Sequence, residues 1–141
     1  MSTGHDQLSV EIGESQTRYG RLLGGATSQY MLRVYFKLIN ETQQPVLVNN
    51  LRVNLDGTLL PPLLILGMAL PVLLTSKGQE QLRTDKVYSA PFTIPPASVN
   101  ERYAFYLLPA DFRHGTSPLH CTATVNFSGH ERRTVQFVVK W

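Results

Sequence analysis

Cysteine is nearly absent from this chain. Its 141 residues include one, Cys121, so no intrachain disulfide can form and a packed core has to hold the fold. Charge is sparse as well. Asp, Glu, Lys and Arg make up 16% of the residues, against roughly 25% in an average soluble domain. The thirteen basic residues exceed the ten acidic ones by three, and Arg132-Arg133 is the only adjacent basic pair. A nucleic-acid-binding protein gathers its cations into a stripe or patch, and none is visible, so no nucleic-acid partner is expected. Residues 1–14, MSTGHDQLSVEIGE, lack the basic and apolar regions of a signal peptide. With the single cysteine, this predicts a reducing, cytoplasmic compartment. Asn40-Glu41-Thr42 and Asn126-Phe127-Ser128 match the glycosylation sequon and are read as chance matches on that ground.

The signatures of catalysis are missing too. There is no Gly-x-Ser-x-Gly elbow, and Gly24-Gly25 lacks both the spacing of a phosphate cradle and a following Gly-Lys-Ser/Thr. His114, His120, Cys121 and His130 fall within seventeen residues, which invites a zinc reading. Neighbours on a strand point to opposite faces, however, and His120 and Cys121 are neighbours. Asp111 with Arg113 and His114 forms a tight polar group that reads as a turn or short capped helix. The expectation is a non-enzyme with no catalytic residues, no metal and no cofactor.

What the chain has in abundance is aliphatic sequence. Gly57 to Ser76, GTLLPPLLILGMALPVLLTS, is a run of twenty residues without a charge. Its length would cross a bilayer, but Pro61, Pro62, Pro71 and Gly67 would break the hydrogen bonding a lipid-exposed helix needs. No transmembrane segment is therefore expected, and the run reads as two short apolar strands joined by a turn. Consecutive strand residues face opposite ways, so Leu63-Leu64-Ile65-Leu66 cannot all enter one core. The surplus predicts cover by a loop of the same chain or by a partner.

Elsewhere the period is two, the mark of strands with one buried face. Leu119, Cys121, Ala123, Val125 and Phe127 alternate with polar residues, Ser128-Gly129-His130 turns, and Val135, Phe137, Val139 and Trp141 return, giving a C-terminal hairpin. Leu32, Val34, Phe36 and Leu38 alternate with Arg33, Tyr35 and Lys37. Val46–Val48 and Leu51–Leu55 make a strand with a bulge at Asn49-Asn50, ending in an Asp56-Gly57 hairpin turn. Leu8–Ile12 is a short first strand. Val87–Ile94 is another, weakened by Pro91. Tyr103, Phe105 and Leu107 are read as facing inward, with Arg102, Ala104 and Tyr106 outward. Lys77–Lys86 reads as one helical turn or a long loop tip. Eight to ten strands bounded by Gly and Pro, without convincing helix signals, predict an all-β chain. The expected form is one antiparallel β-sandwich over 1–141, immunoglobulin- or fibronectin-like in architecture, with a jelly roll as the alternative.

The functional expectation is a non-catalytic protein-interaction or assembly domain. The apolar 59–74 segment would be its anchor, through Leu63, Leu64, Ile65, Leu66, Met68 and Leu70, with Tyr35, Arg33 and Lys37 on the rim of an exposed sheet face or edge. The partner would be another protein or a second copy of the chain. The alternative is a carbohydrate- or other ligand-binding module using Tyr88, Tyr106 and neighbouring loops. Tyr19, between Arg18 and Arg21, reads as part of a solvated basic-aromatic loop.

Overall fold

A computed structural model describes residues 7–23, 29–63, 70–82, 84–113, 115 and 117–141. Among them every regular element is a strand. In chain order these are β1 (Leu8–Ile12), β2 (Arg18–Leu22), β3 (Tyr30–Asn40), β4 (Val46–Leu55), β5 (Thr58–Leu59) and β6 (Pro62–Leu63). Then come β7 (Leu73–Thr75), β8 (Gly78–Glu80), β9 (Phe92–Ile94), β10 (Ser98–Leu107), β11 (Leu119–Phe127) and β12 (Arg133–Val139). They form two antiparallel sheets. The first runs β6-β10-β3-β2-β7-β8, with β1 also on β3. The second runs β12-β11-β4-β5, with β9 also on β4. The chain is thus an all-β sandwich.

Local sequence explains the hairpins. Asp56 and Gly57 have φ of 48° and 81°, the left-handed pair that a two-residue turn between right-twisted strands requires. The bulge falls where the two asparagines predict it. Asn126 pairs with Asn50 but Phe127 pairs with Val48, so Asn49 is the unpaired extra residue. The strand expected over Val87–Ile94 shrinks to Phe92–Ile94 with an isolated bridge at Val87, since Pro91 has no N–H for a ladder. The described residues of Lys77–Lys86 form no helix, and Gly78–Glu80 makes β8 of a tight hairpin. Neither sequon asparagine presents its amide freely. Asn40 is buried, with Nδ2 shared among the carbonyls of Gln44, Ile94 and Pro95, and the Asn126 amide is bonded to Asn50.

The main core lies between the sheets. Leu32, Val34, Phe36 and Leu38 of β3 meet Val48, Leu51 and Val53 of β4 and Cys121, Ala123 and Val125 of β11, all at 3% exposure or less. One strand is turned over relative to the sequence reading. The register pairs Ala104 with Val34 and Tyr106 with Leu32, and directly opposed residues share a face. Ala104 and Tyr106 therefore face the core, while Tyr103, Phe105 and Leu107 face away from it. Both sides of β10 are covered, so its alternation carried no sign of which was inward.

The cover on that second side comes from the apolar run. It contributes β5 to the second sheet, crosses between sheets at the buried Leu60, pairs as β6 with β10, and reaches the opposite side of the first sheet as β7, beside β2. The expected pair of adjacent strands is replaced by three short strands in separate places. Leu73, Met31 and Phe105 form a second small core on the outer face of the first sheet, with Leu63, Leu70, Leu22 and Leu82 packed around it. Gly20 is what lets β7 approach β2. A Cβ there would lie 2.7 Å from the Leu74 carbonyl oxygen and 3.1 Å from Leu73 Cβ. Gly20→Val is expected to destabilise the chain by about 1–3 kcal/mol through overpacking. Urea denaturation measures this, and a variant as stable as the parent would mean that β7 moves aside without loss.

Candidate functional site

The sandwich has one open edge where backbone, apolar surface and tyrosines meet. On the outer edge of β4, β9 pairs with Val46–Val48 and β5 with Asn54–Leu55. The Leu60 N–H donates to the Val53 carbonyl at 2.9 Å. Between these two short strands no strand among the described residues covers Leu51. Two tyrosines take its place. Tyr106 Oη, from β10 of the opposite sheet, donates to the Leu51 carbonyl at 2.7 Å, and the Tyr88 hydroxyl is hydrogen-bonded to the Leu51 backbone. A buried main-chain group needs a partner, and here phenols supply what a strand would. Burial raises both phenol pKa values; for Tyr88 it outweighs the opposing effects of the Leu51 bond and of Arg52. Both remain protonated across the physiological range.

Above the tyrosines is a notch of 320 Å³, walled by Leu51, Leu59, Leu60, Pro62, Tyr88 and Tyr106, with Asn50 and Arg52 at its rim. Leu59 is 55% exposed, the most of any large apolar side chain among the described residues. The edge therefore carries an apolar hollow and an apolar protrusion side by side. Sequence reasoning paired Tyr88 with Tyr106 as ligand contacts, and the structure brings them together, but with their hydroxyls already engaged.

The other candidate residues lie elsewhere. Arg33 is 5% exposed and is not a rim residue. It faces away from the main core as the alternation requires, but β8 covers it: Nη2 pairs with Glu80 Oε1 at 3.2 Å and Nε donates to the Gln16 carbonyl at 3.1 Å. Tyr35 is half-buried, its ring tilted against that of Tyr103 with centroids 4.9 Å apart. Burial, then a hydrogen bond to Glu101, push its phenol up to about 12. Leu63 and Leu70 are half-buried in the second core. Leu64, Ile65, Leu66 and Met68 lie outside the described residues. Tyr19 is not in a solvated loop but on β2, 1% exposed. It is 5.4 Å from Phe112 and 5.5 Å from Trp141, in an aromatic cluster that also includes Tyr30.

No group of three His, Cys, Asp or Glu side chains among the described residues is arranged to hold a metal. His120 is exposed and Cys121 buried, on opposite faces of β11, while His114 lies outside the described residues. Burial, then the charge of Asp56, raise the Cys121 thiol to about 12, so it is a poor nucleophile. Asp111 and Arg113 are exposed in the turn after β10. A larger, polar cleft of 390 Å³ lies against β12, near Glu14, Asp56 and His120. There the Glu14 carboxylate accepts the Val138 N–H at 3.3 Å and so blocks an edge strand.

No family model matches the sequence, and a search of curated proteins returns no match. Among solved structures the fold resembles a protein of Bacillus subtilis subsp. subtilis str. 168, ycdA, assigned as a lipoprotein. The TM-score is 0.55 at 11% identity, over 93% of this chain and 36% of that one. The chain thus spans about a third of the protein it resembles, and the likeness is one of fold alone. Among the described residues no helix is long and apolar enough to cross a membrane.

Proposed function

We propose that the chain is a non-catalytic interaction domain of immunoglobulin-like strand order that pairs with a second copy of itself through the open edge at Leu59. The strand order supports the architectural half. β1, β3 and β10 lie together in one sheet and β4, β11 and β12 in the other, as strands A, B, E and C, F, G do in that fold. The observation that carries the functional half is the exposed Leu59 next to an apolar notch of 320 Å³. A two-fold interface brings one patch against itself. A protrusion and a hollow on the same patch meet that condition: Leu59 of each copy enters the notch of the other, with Arg52 and Asn50 as a polar rim. The apolar 59–74 segment contributes its first residues to this contact. Among its described residues, Leu60 and Leu73 are already buried within the chain.

Backbone amide spectra recorded at rising protein concentration test this. Shifts should concentrate at 50–52 and 58–60. Shifts concentrated along β12, or none at all, would count against the edge.

The second reading is a small-ligand site in the same notch, favoured by Tyr88 and Tyr106, which both line it. With both hydroxyls bonded to Leu51, the tyrosines offer ring surface, which suits an apolar ligand better than a neutral sugar. A protein that stays monomeric while small apolar probes perturb Tyr88 and Leu60 would favour this reading.

A further inference from the structure

The second sheet is chemically unlike the first. None of its strands β4, β5, β9, β11 and β12 contains a carboxylate, whereas Glu11, Glu80 and Glu101 lie on strands of the first. Two adjacent rows of its outer face are hydroxyls, amides and one guanidinium in register: Gln136, Thr122 and Asn54 form one row across β12, β11 and β4, and Thr134, Thr124 and Arg52 the next. At the end of these rows a surface notch of 230 Å³ brings Arg52, Asn54, Thr124, Asn126 and Arg132 together beside Leu59.

The two arginines set this notch apart. Both are exposed, and neither makes an ion pair or hydrogen bond with a described residue. Arg33, Arg102, Arg113 and Arg133 are engaged by carbonyls or side chains, Arg18 acts on the Glu80 carboxylate through its charge, and Arg21 is half-buried on β2, so among the described arginines Arg52 and Arg132 are set apart by being both exposed and unengaged. Glu131, the neighbour of Arg132 in sequence, pairs with neither. Two guanidinium groups on one notch repel unless an anion lies between them, and their planar forks match the oxygens of a phosphate or sulfate. Thr124 and the carboxamides of Asn54 and Asn126 both donate and accept, the capacity that sugar hydroxyls require. The Asn126 amide is held in place by its bond to Asn50 Oδ1.

We propose that this face binds a phosphorylated or sulfated sugar, with the oxyanion between Arg52 and Arg132 and the ring hydroxyls over Thr124, Asn54 and Asn126. The two sites share Arg52 and Leu59, but the proposal does not rest on the self-pairing reading, since Arg132, Thr124, Asn54 and Asn126 lie outside the notch at Tyr88.

The test is an amide-shift titration of the full chain with glucose 6-phosphate, inorganic phosphate and glucose at low ionic strength. Glucose 6-phosphate should shift signals at 52–54, 124–126 and 132, bind about tenfold more tightly than inorganic phosphate, and weaken as salt is added. Glucose should shift none of them. Arg52→Gln and Arg132→Gln should each weaken glucose 6-phosphate about tenfold, as expected for loss of a charge-assisted fork, and Arg132→Gln, outside the notch at Tyr88, should leave the thermal midpoint unchanged. Equal binding of phosphate and glucose 6-phosphate would overturn the proposal. So would titrations unaltered by the glutamine variants, or shifts spread over arginines elsewhere.

Discussion

Replacing Tyr106 with alanine is expected to cost about 3–5 kcal/mol, the range for deleting a buried aromatic side chain. The ring is 1% exposed and lies between the sheets with Leu32, Leu51 and Leu108 in the main core. Tyr106→Phe isolates the hydroxyl. It leaves the ring and removes only the donor to Leu51, whose carbonyl then lies buried without its phenol partner. That loss is expected to be about 1–3 kcal/mol. Urea denaturation of both variants separates packing from hydrogen bonding. If Tyr106→Phe is as stable as the parent, the tyrosine is not standing in for a strand, and the open edge needs another account.

Glu80→Ala is expected to be nearly as damaging, at about 2–4 kcal/mol. This is somewhat below the usual cost of breaking a buried pair, because the Glu80 side chain is 24% exposed. It would leave the Arg33 guanidinium under β8 without its carboxylate. Thr75 Oγ1 also donates to Glu80 and accepts the Lys77 N–H, so the β7–β8 hairpin closes on this one carboxylate. The double variant Arg33→Met, Glu80→Leu should recover most of the loss, since apolar residues fill the space with no charge to desolvate. A double variant no better than Glu80→Ala alone would show that the pair does more than cancel its own burial. The pH dependence follows from the same contacts. Burial pushes the Glu80 carboxyl up, but bonds from Thr75 and Arg33 and the charges of Arg33 and Arg18 outweigh it and hold the group below its ordinary value of 4.5. The folded state therefore holds this proton less tightly than the unfolded state. The contribution is complete above the ordinary carboxylate range and is lost as pH falls through the depressed value. In Glu80→Gln this part of the acid-side slope should disappear.

Features set by neighbouring residues were legible in the sequence. The alternation from Leu119 to Phe127, the Asp56-Gly57 turn and the bulge at Asn49 each follow from a few adjacent side chains, and the structure places all of them as read. Features set by distant partners were not. The parity of β10 depends on pairing with β3, and both of its faces are apolar. Arg33 looked like a solvated residue because Glu80, its partner, is 47 positions away. The described part of the leucine-rich run at 57–76 divides between the main core, which takes Leu60, and the second core on the first sheet, which takes Leu63, Leu70 and Leu73. Among the described residues of the run, Leu59 is the large apolar side chain that stays exposed. No pattern marks it, since its exposure follows from β5 being only two residues long. Tyr88 and Tyr106 could be singled out as aromatic, but their role at Leu51 appears only when a gap opens between β9 and β5.

The central claim is that this gap is a self-pairing edge. Its most direct test is the mass in solution of the parent and of Leu59→Asp, by light scattering after size exclusion over a tenfold concentration range. The account predicts that the parent moves from its 15.8 kDa monomer mass toward twice that value as concentration rises. Leu59→Asp, altering a side chain that is already 55% exposed, should stay folded and monomeric throughout. A parent that is monomeric at every concentration, or a dimer that Leu59→Asp leaves intact, would contradict it.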